Sequence, residues 1–166
     1  MNPVLIRQAS QDDLIDLEWN GEYTHFRRLY AETYNLMTLG SAIIWIAETD
    51  GRGLIGQCFV SLKGNRPDLA DGVSRAYIYG FRVRPEYRNL GVGTRIMHSV
   101  EQDLWQRGFR QVNLNVGKDN VNARRFYHRL GYQVIGSDPG HWSYIDDKGK
   151  RRDMHEPAWR MLKDLV

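Results

Sequence analysis

Two short stretches of this chain hold residue types at spacings that can do chemistry. The first is Val83-Arg84-Pro85-Glu86-Tyr87-Arg88-Asn89-Leu90-Gly91-Val92-Gly93-Thr94. A strand-like run ends at Val83, and an amphipathic helical pattern opens at Gly91. The first turn of a helix leaves backbone N–H groups unpaired and carries the positive end of the macrodipole. Glycines let that backbone come close to a phosphate, and Arg88 adds a full charge. The stretch from Arg88 through Asn89, Leu90, Gly91, Val92, Gly93 and Thr94 therefore reads as an anion site. A P-loop is excluded, because no Gly-Lys-Ser/Thr ending follows. A dinucleotide fingerprint fails as well: Ile96 takes the place of its third small residue, and Gln111 stands where an acid is needed.

The second stretch is Asn120-Val121-Asn122-Ala123-Arg124-Arg125-Phe126-Tyr127-His128-Arg129-Leu130-Gly131-Tyr132. An Asn follows a strand, a Tyr comes seven residues later in a helix, and the helix closes with Leu-Gly-aromatic. Other suggestive groupings fail on geometry. His155-Glu156-Pro157 begins like a zinc-protease helix, but the second His is absent and Pro157 breaks the helix. Gly72-Val73-Ser74 half-matches a nucleophile elbow yet leads into a strand. His98 has no evident triad partner. No metal is expected.

The elements that must position these stretches follow from periodicity. Val4 to Gln8 reads as a strand, and Ser10-Gln11-Asp12-Asp13 as a capped helix start. Leu14 to Leu39 is helical with an interruption at Asn20-Gly21. That spacing puts Trp19, Tyr23, Phe26 and Tyr30 on one face. Ser41 to Thr49 and Leu54 to Leu62 are strands joined by the hairpin connection Asp50-Gly51-Arg52-Gly53. After a polar loop, Arg75 to Val83 is a strand. Gly91 to Arg107 is a helix, Gln111 to Val116 a strand, Asn120 to Leu130 a helix and Tyr132 to Ser137 a strand. Beyond Pro139 come further strands around a turn at Asp146 to Gly149, and a last apolar run from Trp159 to Leu162. Antiparallel hairpins around one strand-helix-strand crossover predict an α/β (α+β) domain over residues 1–166, with a mixed, mostly antiparallel sheet flanked by helices.

Composition sets bounds on function. The chain has 166 residues, 42% apolar and 26% charged, as in ordinary soluble domains. No apolar run approaches the ~18 residues of a membrane span, and the first residues lack a secretory layout, so no membrane partner and a cytoplasmic home are expected. One cysteine, Cys58, excludes an internal disulfide. The net charge of +3 comes with only short basic clusters, Arg124-Arg125 and Lys148 to Arg152, so no nucleic acid is expected.

Taken together and about thirty residues apart, the two stretches resemble the motifs of the GNAT superfamily of N-acetyltransferases. Arg88, Gly91 and Gly93 match its Gln/Arg-x-x-Gly-x-Gly/Ala pyrophosphate loop. Asn120, Ala123, Phe126 and Tyr127 match its Asn-x-x-Ala-x-x-aromatic/Leu-Tyr run. The resemblance is specific over Tyr77 to Val134 and loose before Ser41 and after Pro139, the parts that shape the acceptor site. It implies acetyl-CoA as co-substrate. The backbone of Phe81, Arg82 and Val83 would pair with the pantetheine arm, and a bulge at Gly80 would splay the strands around it. Asn120, with Ala123 beside it, would reach the pantetheine, and Tyr127 would lie near the sulfur. Many relatives form dimers, so a homodimer is compatible with it.

The chemistry can be argued on its own terms. An amine attacks a thioester only when neutral, and an alkyl amine has a pKa of ~10.4 in water, so a base must take its proton. The departing thiolate, of pKa ~8.5, must be protonated, which a phenol of pKa ~10 can do. Tyr127 is the residue assigned to that role. A backbone N–H of the strand ending at Val83 is the natural oxyanion donor. No carboxylate lies within Tyr77 to Val83, where several relatives place their base; Glu18, Glu22, His25 and a water relay remain open. Trp19, Tyr23 and Trp142 could line an acceptor pocket or simply pack. The acceptor, a small-molecule or protein amine, is not specified, and a non-catalytic acyl-CoA-binding module is the alternative.

Overall fold

The structure, a computed structural model, describes residues 2–166. Seven strands form the main sheet: β1 (Val4–Gln8), β2 (Ala42–Thr49), β3 (Gly53–Ser61), β4 (Arg75–Val83), β5 (Gln111–Gly117), β6 (Gln133–Asp138) and β9 (Ala158–Asp164). Their spatial order is β1-β2-β3-β4-β5-β9-β6, while β7 (His141–Ile145) and β8 (Arg151–His155) form a separate hairpin. Three α-helices accompany them: α1 (Arg27–Thr38), α2 (Val92–Gln106) and α3 (Val121–Arg129). Within the main sheet β4 and β5 run parallel and the other neighbours antiparallel. The expected mixed, mostly antiparallel sheet flanked by helices is what forms.

Two expectations need correction. The sequence suggested one strand-helix-strand crossover, and there are two. Both β5 and β6 lie antiparallel to β9, so they run the same way, and α3 links them. The second crossover is hidden in the sequence because β9, from the end of the chain, inserts between its strands. The helical stretch expected from Leu14 to Leu39, with its interruption at Asn20-Gly21, is α-helical only in its second half. Short 3-10 turns occupy Asp16–Gly21 and Thr24–Phe26, and α1 begins only at Arg27. Trp19 and Asn20 both have left-handed backbone, with φ of 49° and 59°, which breaks any helix through them. The four aromatics nonetheless pack together, through chain reversal instead of a shared helical face.

Both faces of the sheet are covered. Against α3 and against Ile96 and Val100 of α2 lie small and branched residues of the sheet, including Ala76, Ile78, Val112 and Leu114. Against Trp19 and Phe26 of the 3-10 turns and Tyr30 of α1 lie Ile44, Ile46, Phe59 and Tyr79 of the sheet. A strand buried on both sides cannot alternate apolar and polar, which explains the unbroken apolar run of β2.

Candidate active site

The site is organised by a bulge in β4. Gln57 of β3 faces Arg82 and Phe59 faces Tyr79, so Gly80 and Phe81 together oppose the single residue Cys58. One extra residue swaps every following side chain to the other face. Before it, Ile78 points to α2 and α3, and Tyr79 to the aromatic core. After it, Phe81 and Val83 join the α2 and α3 side, and Arg82 crosses to the aromatic side. Gly80 is required there: its φ is +60°, and an added Cβ would lie 2.6 Å from the Phe59 ring.

Just before the bulge, β4 and β5 separate. Their pairing runs from Arg75 opposite Gln111 to Ile78 opposite Leu114 and stops. β5 continues to Gly117 against β9, and β4 to Val83 against β3, each on its far side only. The facing backbone edges beyond Ile78 and Leu114 are left free for a third extended chain.

The anion loop stands at the mouth of that opening. Arg88 donates from Nε to the Val83 carbonyl at 2.9 Å, which ties the loop to the strand end and leaves the rest of its guanidinium without a partner among the described residues. Asn89 and Gly91 have φ of +62° and +85°, and Gly91 caps α2. The two motif glycines have different reasons. Gly91 supplies left-handed backbone, with nothing near its missing Cβ. Gly93 supplies proximity: a Cβ there would sit 3.1 Å from Phe81 and 3.3 Å from Phe126. Leu90 is exposed, Val92 is buried in the core and Thr94 is half-buried in the first turn.

Helix α3 contributes from the other bank. Asn120 accepts the Ala123 N–H on its side-chain oxygen at 3.2 Å, capping the helix. Its amide NH2 has no partner among the described residues. Phe126 stacks on Phe81 with ring centres 5.8 Å apart and planes within 11°. Tyr127 lies 6.2 Å from Phe81, 5.4 Å from Phe126 and 5.9 Å from Tyr132. Burial among these rings pushes its phenol well above the ordinary range. The hydroxyl makes no hydrogen bond among the described residues, so Tyr127 holds its proton and has not committed it.

The opposite face of β4 carries a different set of groups. The Arg82 guanidinium lies 4.2 Å from the centre of the Tyr23 ring and 5.7 Å from that of Phe26. Its backbone stays on the free edge with Phe81 and Val83, but its side chain is on the far side of the sheet from them. From the β7–β8 hairpin, Trp142 stacks on Phe26 with ring centres 6.2 Å apart, and Tyr144 packs against it at a tilt, 4.9 Å away. Trp19 is buried and donates from Nε1 to Gln57 Oε1 at 2.9 Å, so it packs the core instead of lining an opening.

The base candidates are now separable. Glu18 is buried, and its carboxylate accepts from Arg27 Nε and Nη2 at 2.8 and 2.9 Å and from Thr24 at 2.9 Å. The Arg27 hydrogen bonds, with Thr24 adding to them against the opposing effect of burial, hold its pKa below the usual carboxylate value. Such a carboxylate is a weak base with its lone pairs already engaged, and Glu18 is removed from that role. Glu22 is exposed, and His25 packs at a tilt against Phe26, with ring centres 4.2 Å apart. Sequence reasoning passed over Gln57, although a Gln inside the apolar run Ile55-Gly56-Gln57-Cys58-Phe59 was a usable signal.

This arrangement has counterparts among known proteins. The model of the Acetyltransferase (GNAT) family matches residues 11–132. An uncharacterized N-acetyltransferase of Archaeoglobus fulgidus is 29% identical over 132 residues, covering 74% of this chain and 88% of that protein. Another, from Methanocaldococcus jannaschii, is 30% identical over 133 residues, 78% of each chain. The crystal structure of Arabidopsis thaliana NAA60 in complex with acetyl-CoA superposes with a TM-score of 0.73 at 18% identity, over 98% of this chain and 99% of that one. With the family model spanning most of the sequence, including the anion loop and the whole Asn120 to Tyr132 stretch, the chain belongs to the GNAT family of acetyltransferases.

Proposed function

We propose that residues 1–166 act as one acetyltransferase domain that moves an acetyl group from acetyl-CoA to a primary amine by direct attack in a ternary complex. The observation that carries the reading is the separation of β4 from β5 at the Gly80 bulge, flanked by the start of α2 and by the uncommitted hydroxyl of Tyr127. The NAA60 likeness to an acetyl-CoA complex supports the donor. The buried thiol of Cys58 fits a reducing cytoplasmic setting.

In this reading the pantetheine arm adds as an extended chain to the free edge of β4 at Phe81, Arg82 and Val83, with Asn120 opposite. The pyrophosphate rests on the N–H groups from Arg88 to Thr94, where the helix dipole and Arg88 favour negative charge. The thioester then lies at the bulge. The amine attacks from the Arg82 side, the C–N bond forms, and the oxyanion takes an N–H from the β4 edge. The C–S bond breaks, and Tyr127 gives its proton to the thiolate. The dry surroundings that keep Tyr127 protonated also raise the basicity of a thiolate formed beside it, so the transfer stays matched. With Glu18 engaged by Arg27, the amine proton leaves through water, Glu22 or His25.

Calorimetric titration with acetyl-CoA, beside dephospho-CoA and ATP, tests the reading. Binding of acetyl-CoA in the micromolar to millimolar range usual for enzyme substrates, with ATP far weaker, followed by amine-dependent thiol release, is expected. Binding without turnover of any amine would favour the non-catalytic acyl-CoA module instead.

A further inference from the structure

Beside the bulge, on the face where the amine would approach, three hydrogen-bond donors lack acceptors. The first is Arg82, which faces the Tyr23 ring and has no carboxylate within reach among the described residues. An arginine set against aromatic rings and the Tyr30 phenol oxygen keeps most of its planar fork of donors open. The second is Gln57, fully buried and opposite Arg82 in the ladder. Trp19 Nε1 can only donate, so it fixes Gln57 with Oε1 toward it, and the amide nitrogen is left buried and unpaired. The third is Tyr30, 2% exposed, whose hydroxyl proton has no acceptor. Burial raises its pKa to about 12, and the nearby Arg82 charge opposes that rise, which places guanidinium and phenol side by side.

Orphaned buried donors are uncommon, because each costs on the order of 1–3 kcal/mol. The two buried here, on Gln57 and Tyr30, together with the half-buried guanidinium of Arg82 beside them, are a recognition set awaiting an acceptor. The local carboxylate that might have served, Glu18, is already held by Arg27 and Thr24. An arginine so close to the reaction centre also repels a simple alkylammonium, so a purely cationic amine is a poor fit. A planar anion with two oxygens matches a guanidinium fork.

We infer that the acceptor is an amino acid-like compound whose carboxylate, close to its amine, is held by Arg82, Tyr30 and Gln57. This rests on the N-acetyltransferase reading and narrows its substrate class. The carboxylate would neutralise Arg82 and leave the amine over the bulge. The rings of Tyr23, Phe26, Trp142 and Tyr144, which lie within stacking distance of one another, would face an apolar or aromatic side chain of the acceptor.

The test compares matched acceptors at saturating acetyl-CoA, with thiol release as the readout: L-phenylalanine, L-phenylalaninamide and 2-phenylethylamine, and the same three forms built on leucine. The carboxylate forms should exceed the amide and decarboxylated forms by about tenfold or more in kcat/KM. In Arg82→Gln that preference should collapse, mainly through KM for the carboxylate forms, while acetyl-CoA affinity and thermal unfolding show that the fold is kept. Tyr30→Phe, which removes only the hydroxyl, should reduce the preference in the same direction. Equal or better turnover of 2-phenylethylamine by the wild type would overturn the inference, as would an Arg82→Gln variant that slows all acceptors alike. A protein that binds no acetyl-CoA in the accompanying titration would instead remove the acetyltransferase reading beneath it, so the two failures are distinguishable.

Discussion

The two faces of β4 are built on opposite principles. Toward α2 and α3, the chain packs branched aliphatics with the rings of Phe81, Phe126, Tyr127 and Tyr132, and its polar groups near the opening are backbone N–H groups, Arg88, the Tyr127 hydroxyl and the capping Asn120. Toward α1 and the β7–β8 hairpin, it uses large rings and places among them an arginine without a carboxylate, a buried glutamine and a buried tyrosine. The first face depends on backbone geometry, which only a few residue types can provide. The second depends on side-chain chemistry, which can vary without disturbing the fold. The contrast suggests that one face is committed to the common donor and the other to the acceptor.

The largest expected effect removes the device that joins the faces. Gly80→Val would put a β-branched side chain at a φ of +60°, with its Cβ 2.6 Å from the Phe59 ring. Backbone strain and overpacking each cost about 1–3 kcal/mol. The variant should lose on the order of 3 kcal/mol or more of stability in urea unfolding, and acetyl-CoA binding with it. A variant of wild-type stability would mean that β4 can straighten without cost, and that the bulge does not set which face Arg82 occupies.

The same contrast explains what the sequence disclosed. Arg88, Gly91, Gly93 and the Asn120 to Tyr127 run were legible because each is a short run of residue types at fixed spacing, with local constraints at two positions: left-handed backbone at Gly91 and a side-chain cap at Asn120. The strands and α2 and α3 were legible from periodicity. The acceptor face was not, for physical reasons that can be named. Alternation along β4 assigns Arg82 to the face of Ile78, and the one-residue bulge reverses that. The stripe from Trp19 to Tyr30 has helical spacing, but left-handed Trp19 and Asn20 fold it another way. β9 reaches its place between β5 and β6 through pairing with no local signal.

Next in size is Tyr127→Phe, which acts on the donor face through chemistry alone. The hydroxyl holds no partner, so stability should stay within about 0.5 kcal/mol of wild type. Turnover should fall on the order of 10²-fold, the lower end of general-acid contributions, with acetyl-CoA affinity nearly unchanged. Unaltered kcat would leave Tyr127 as a packing residue and move protonation of the thiolate to water. Gly93→Val sharpens the point from the other side. Its Cβ would press on Phe81 and Phe126, so it should weaken acetyl-CoA binding and cost about 1–3 kcal/mol of stability. A folded Gly93→Val protein with native affinity would show that these rings give way without disturbing the loop.

The smallest effect belongs to the acceptor face and concerns pH. The Arg27 hydrogen bonds lower the Glu18 pKa in the folded protein, so the unfolded chain binds a proton there more readily. The pair therefore stabilises the fold above the ordinary glutamate pKa of 4.5, and that contribution fades as pH falls through the lower folded value. Because Arg27 is exposed, solvent screens the interaction and the change should be modest. Glu18→Gln should be somewhat less stable than wild type at pH 7, and the gap should narrow as the urea midpoint is followed from pH 5 to pH 3. A gap that stays constant across that range would mean that Glu18 acts through shape and neutral hydrogen bonding. In that case the Arg27 charge is not engaged, and Glu18 returns to contention as the group that accepts the amine proton.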